Sequence, residues 1–416
     1  MRRSYFLVGL VFLIFFVISF LTNIIGPLIP QIIADFELSL TMVALLPFSF
    51  FVAYGVTSIP AGILLETWHE KRVSVAAFGI AFIGSLLLAL FPGYLTAVVS
   101  LFLIGSGMAM LQVAINPLLR EAGGEEHYAL NATLAQLVFG LASFLSPLVY
   151  TYLVLNLQAG NPDGDLLIAI LARLVPADLN WIALYWIFAA ISLLMIVVML
   201  VSPIPKVERT GEERAGALAT HLELLKTPLV GLFFLGIFAY VGAEQGVANW
   251  ISEFLYQYHG YDPQTIGAST VSWFWGLMAA GSLLGVVLLK LLDSKVVLRL
   301  FTVAAMVCFG AALYMAGPVA RVAFPLVGFF AAVMYPIIFS LALNSVHEHH
   351  GSFAGILVTA IVGGAVIPLI VGGLGDIFGL RNGMLFLFIP LGYILSIGFW
   401  ANPLIKNETL ATGRRD

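Results

Sequence analysis

Glu244 stands near the middle of an apolar run that begins at Pro228 and meets no other charge until Glu253. On membrane-insertion scales a charged residue at that depth is unfavourable by roughly 2.5–3.5 kcal/mol. A carboxylate kept there marks a functional site, with protonation or a bound cation as its relief. Its neighbours agree with that reading. Gln245 and Asn249 lie one helical turn apart on one face with Trp250 beside them, and Gly242 and Gly246 bracket the acid. Amides that exchange hydrogen bonds with hydroxyls, an aromatic face and a titratable acid suit a polar solute carried together with a coupling ion. The competing reading is a Glu that only hydrogen-bonds a neighbouring helix, a task that Gln or Ser performs at lower cost.

The elements that must hold these residues follow from composition. The 416 residues are 61% hydrophobic and 10% charged, with mean hydropathy +1.05. Soluble domains carry about 25% charged residues, so the chain is an all-α polytopic membrane protein whose surroundings are the lipid bilayer. No basic cluster offers itself to nucleic acid, and Cys308 is the single cysteine. Charge-free runs of about 20 residues or more predict twelve transmembrane helices, six of them at 5–30, 39–65, 73–91, 95–119, 129–156 and 181–203. The other six are predicted at 228–252, 264–289, 297–316, 322–346, 352–375 and 383–404. Splitting the third from the fourth rests on the turn signal Phe91-Pro92-Gly93-Tyr94. Met1-Arg2-Arg3 resembles a signal n-region, but the apolar stretch continues to Ala34 without a cleavage site and reads as a first span.

With the N-terminus cytoplasmic, fifteen of the 18 Lys and Arg fall on one side, and only Arg173, Arg321 and Arg381 on the other. That asymmetry predicts both termini in the cytoplasm and an inner-membrane location. The charged stretch 204–227 then divides two six-helix bundles, 1–203 and 228–405, and 406–416 forms a cytoplasmic tail. An outer loop near 157–180 contains the amphipathic segment LLIAILARLV, and the fifth and eleventh helices echo each other weakly around Pro147 and Pro368. Two bundles of six joined by a cytoplasmic linker are the layout of the major facilitator superfamily, and a monomer is expected.

Other polar residues lie inside the spans. Asn23 precedes Gly26-Pro27 and Pro30-Gln31, where proline frees backbone carbonyls that only protein or a wet cavity accepts. Asn23 is therefore a ligand for a hydroxylated solute or a partner for such a carbonyl. Gln112 has the same two readings, whereas Asn116 beside Pro117 reads as structural. Gln136 is deep enough in the fifth helix to face a cavity. Trp273 and Trp275 cannot share a face, so at most one lines a pathway. Gly373-Leu374-Gly375-Asp376 with Tyr261-Asp262 mimics the intramembrane aspartyl proteases, but both acids read as span ends rather than a dyad sharing a proton. His347-Glu348-His349-His350 lacks the helical spacing of a zinc enzyme, so neither metal nor cofactor is expected.

Seven stretches in order carry a family resemblance: LIPQ (28–31), IPAGILLE (59–66), AINPLL (114–119), LAQ (134–136), YVGAE (240–244), MYPIIFSLALNSV (334–346) and GILVTAIVGGAVIPLIVGGLGD (355–376). The chain resembles the fucose–galactose–glucose proton symporter family of the major facilitator superfamily over nearly its whole length. The resemblance implies a rocking two-bundle carrier of monosaccharides driven by protons or, in some members, by sodium. Fucose-type members carry an acid in the first helix where this chain has Gly26, a glutamate where it has Gln112, and an asparagine where it has Phe139. Glu244, shared with the glucose-type branch, is the one deep acid left. The expectation is proton-coupled import of a monosaccharide, with Glu244 as coupling group. Asn23, Gln112, Gln136, Gln245 and Asn249 would be solute ligands, with Trp250 or Phe139 as a stacking face. Sodium coupling, export of amphipathic molecules and, remotely, the protease are the alternatives.

Overall fold

The structure, a computed structural model, describes residues 5–123, 128–159, 165–204, 224, 226–346 and 350–404. Among the described residues twelve helical spans are long and apolar enough to cross a membrane, and there is no strand. They are α1 (Tyr5–Phe36), α2 (Leu40–Leu65), α3 (Glu70–Leu90), α4 (Tyr94–Ile115), α5 (Leu134–Gln158) and α6 (Asn180–Val201). In the second half come α7 (Pro228–His259), α8 (Pro263–Leu291), α9 (Ser294–Tyr314), α10 (Gly317–Leu343), α11 (Phe353–Phe378) and α12 (Leu380–Trp400). The break between α3 and α4 falls at Phe91–Gly93, where the turn signal placed it. The amphipathic segment LLIAILARLV forms a short helix, Leu166–Leu174, capped by Asp165, which accepts from Leu167 N–H at 2.9 Å.

Several boundaries differ from the charge-free runs, each for a physical reason. α1 runs on from the expected end at residue 30 to Phe36 but is interrupted at Asn23–Ile24. The interruption lies four residues before Pro27, whose missing N–H and ring deprive the Asn23 carbonyl of its helical donor. The same offset explains two further interruptions. α10 breaks at Ala332–Val333, four residues before Pro336, and α12 breaks at Phe386–Leu387, four residues before Pro390. In α11 the turn Ala360–Val362 tightens to a 3₁₀ helix ahead of Pro368. α7 continues past the expected end at residue 252 to His259, because the acid that should have stopped it, Glu253, is paired within the helix with Gln257 at 2.6 Å.

The chain divides into two compact units. The first holds Met1–Glu208 together with Asn249–Ser272, the second Arg209–Ala248 together with Trp273–Asp416. The end of α7 and the start of α8 thus group with the first six spans. Most of the linker expected at 204–227, and the whole of the tail expected at 406–416, lie outside the described residues. So do His347, Glu348 and His349 of the cluster that ends at His350. Within each unit the helices approach closely at small residues. A Cβ on Gly105 of α4 would overlap the Phe50 carbonyl oxygen of α2, and one on Gly363 of α11 would overlap that of Phe238 on α7.

Candidate functional site

In the second unit α7 places Glu244 one turn after Tyr240, and the tyrosine hydroxyl donates to Glu244 Oε1 at 2.8 Å. Tyr335, from the segment of α10 that follows its proline-induced break, lies with its ring 5.7 Å from that of Tyr240 and stacks in turn on Phe339 at 5.7 Å. The carboxyl borders a cavity of about 10 Å³ whose other walls include Phe274, Val327, Ala331, Leu391 and Ile394. That volume is at the lower limit for a single water. Gly242 and Gly246, which bracket the acid, are where Ile367 of α11 and Leu387 of α12 press closest on α7; any Cβ there would strike those side chains. The acid is therefore held on a tightly packed helix, among largely apolar walls, with the Tyr240 phenol and the Gln245 side chain as its hydrogen-bond partners. Gln245, the next residue, is buried.

In the first unit a run of hydroxyls joins α1 to α5. Asn23 Nδ2 donates to Ser143 Oγ at 2.8 Å, Ser19 Oγ lies 2.5 Å from Ser143 Oγ and donates to the Phe139 carbonyl at 2.6 Å, and Ser146 Oγ donates to the Phe20 carbonyl at 2.8 Å. Asn23 is 5% exposed, and its amide nitrogen is engaged by this seam. Phe139 and Gln112 are half-buried, and Gln136 is exposed. Asn249 and Trp250, on the part of α7 that groups with this unit, are 4% and 0% exposed. Among the described residues neither Asn249 Nδ2 nor Trp250 Nε1 has a hydrogen-bond partner. Buried donors without acceptors are unfavourable by about 1–3 kcal/mol each, and a polyhydroxylated solute or a water would supply what is missing.

Residues 11–367 match the family model described as Major Facilitator Superfamily. The chain belongs to this superfamily. The glucose/galactose transporter of Brucella abortus is 30% identical over 401 residues, covering 93% of this chain and 92% of the relative. The L-fucose-proton symporter of Escherichia coli is 25% identical over 382 residues, covering 88% and 86%. These relatives agree with the resemblance carried by the LIPQ, YVGAE and α11 motifs. A solved structure of a superfamily transporter, FucP, in the outward conformation shares the fold at TM-score 0.68 and 21% identity, over 96% of this chain and 99% of that one.

As a superfamily member the chain is a multi-pass carrier and not an enzyme. The protease look-alike dissolves locally as well. Asp262 is an exposed cap that accepts the Thr265 hydroxyl and the Gln264 N–H, and Asp376 is exposed at the end of α11. Trp275 is buried and Trp273 is 54% exposed, as opposite faces require.

Sequence reasoning passed over two features. Tyr240 sits four residues before Glu244, a spacing legible in YVGAE itself. The other is a polar chain in the first unit. Trp181 Nε1 donates to Asp35 Oδ2 at 2.6 Å, Gln31 Nε2 to Asp35 Oδ1 at 2.9 Å, and Gln264 Nε2 to Gln31 Oε1 at 2.9 Å. Thr151 Oγ1 completes it by donating to the Gln264 carbonyl at 2.6 Å. The i, i+4 pair Gln31 and Asp35 was visible in sequence, but its partners 233 and 146 positions away were not.

Proposed function

We propose that the chain imports a monosaccharide by alternating access, coupled to a proton carried on Glu244. The observation that carries the reading is the Glu244 carboxyl itself. It is the one acid between Pro228 and Glu253, is hydrogen-bonded by Tyr240 at 2.8 Å and by the Gln245 side chain, and borders a small cavity whose other walls are largely apolar. A charge in such a setting is held at high cost, and a proton removes that cost. Two relatives named for glucose/galactose and for L-fucose with protons support the substrate class and the ion. The buried, unpartnered Asn249 and Trp250 donors and the exposed Gln136 amide supply the polar contacts that a hydroxylated solute needs. Uptake of radiolabelled hexoses into proteoliposomes, with imposed proton and sodium gradients in separate arms, tests it. Accumulation driven by the proton gradient alone is the expected result.

Three narrower outcomes follow. Gln136→Ala and Asn249→Ala should each weaken sugar binding by about 1–3 kcal/mol, read by titration on purified protein. Unchanged affinity in both would move the solute site elsewhere. Tyr240→Phe removes the sole hydroxyl seen on Glu244 Oε1 and keeps the ring against Tyr335. It should shift the pH dependence of accumulation while leaving sugar exchange near normal; an unaltered pH profile would remove Tyr240 from the coupling site. Orientation is tested in a Cys308→Ala background. A cysteine at Asp178 should react with an impermeant thiol reagent added outside cells, and one at Lys290 should not, with the reverse labelling excluding cytoplasmic termini.

A further inference from the structure

A cleft of about 540 Å³ opens in the second unit, where α8 ends, α9 begins, and α10 and α12 end. Lys295 and Arg299, one turn apart on α9, line it together with Asn344 and Asn402. Among the described residues neither cation has a carboxylate within ion-pair distance. Lys295 Nζ donates to the Phe399 carbonyl at 3.4 Å. Arg299 lies 5.0 Å over the Phe399 ring and donates Nε–H to the Lys295 carbonyl at 3.3 Å. The acid in the lining, Asp293, is used as the cap of α9 and accepts the Lys295 backbone N–H at 2.8 Å. Two cations thus share a roomy cleft whose one lining acid, Asp293, is engaged as the cap of α9, and Lys290 at the end of α8 adds a third positive group at this end.

The rim of the cleft is apolar and open. Phe399, which lines the cleft, is 63% exposed, and Leu300 and Leu404, each next in sequence to a lining residue, are 58% and 52% exposed. A soluble anion would use the cations alone. An amphipathic anion uses both, with its phosphate between Lys295 and Arg299 and its acyl chain along the rim. We propose that this cleft seats the phosphate headgroup of an anionic phospholipid. The inference does not depend on sugar or proton as cargo, because it concerns a different part of the unit and a different ligand chemistry.

Native mass spectrometry of the purified full chain, offered equimolar phosphatidylglycerol and phosphatidylcholine, tests it. The wild type should retain phosphatidylglycerol with a preference of about tenfold or more, the size that two interfacial cations confer. Lys295→Gln combined with Arg299→Gln should bring the preference close to one, whereas Arg299→Lys should keep most of it. If the double variant does not fold, Lys295→Gln alone serves, since that ammonium touches only a carbonyl oxygen; its preference should fall about threefold. No preference in the wild type, or an undiminished preference in the Gln variants, overturns the proposal. So does displacement of the lipid by millimolar glycerol 3-phosphate, which would make the cleft a site for soluble anions.

Discussion

Glu244→Gln will exchange labelled sugar across a proteoliposome membrane at close to the wild-type rate and will fail to accumulate it against a gradient. The amide keeps the shape of the side chain and an acceptor for the Tyr240 hydroxyl, which lies 2.8 Å from Glu244 Oε1, and permanently imitates the uncharged acid. Alternating access requires that a loaded carrier cross between its two open states, and that an ion bound with the solute bias that crossing. A carrier fixed in the neutral state crosses with sugar in both directions, so exchange survives. It has no proton to release on the inner side, so the free energy of the gradient no longer reaches the sugar. The loss is all of the accumulation, which makes it one of the two largest effects anticipated. If sodium were the coupling ion, the same variant should lose sodium-stimulated sugar binding instead, because a neutral amide is the poorer cation ligand. Gradient-driven accumulation by Glu244→Gln at the wild-type level would sink both versions.

The second large effect is on folding. Gly363 sits where α11 passes α7, and a Cβ there would overlap the carbonyl oxygen of Phe238, with the carbonyl carbon and Cα of the same residue close behind. Backbone cannot rotate aside as a side chain can, so α7 itself must move, and it carries Glu244 six residues further on. Overpacking typically destabilises by about 1–3 kcal/mol and by more when no side chain can yield. Gly363→Val should therefore lower the melting temperature of the purified carrier sharply and abolish transport. Gly79→Val is the matched control, since nothing lies within 4 Å of a Cβ at that position. It should melt within a degree or two of the wild type. Equal melting of the two variants would contradict the close packing of α11 on α7.

What the sequence made legible and what it hid divide along a physical line. The twelve spans were readable because each needs about 20 apolar residues to cross a bilayer, and charges end such runs. Glu244 stood out for the same reason, as the charge that breaks the rule. Where prolines fall, the sequence held more than the charge-free runs used. The breaks in α1, α10 and α12 each lie four residues before Pro27, Pro336 and Pro390, the position whose carbonyl loses its donor. Glu253 misled because a charge was taken to end α7, whereas its i, i+4 bond to Gln257 keeps the helix going. Pairings across the fold were out of reach. Asn23 reads from sequence as a solute ligand or a carbonyl partner, and its hydrogen bond to Ser143, 120 positions away, could not be read at all. The grouping of Asn249–Ser272 with the first unit is likewise a tertiary outcome that no local spacing encodes.

The account rests on one claim, that sugar entry brings a proton in on Glu244, and a direct count of protons tests it. A pulse of transported hexose should be added to lightly buffered proteoliposomes without any imposed gradient, while external pH is followed. The wild type should make the medium transiently alkaline, with close to one proton taken up per sugar, and Glu244→Gln should take up the sugar with no change in pH. Sugar entry by the wild type without alkalinisation, or an alkaline pulse preserved in Glu244→Gln, would contradict the account.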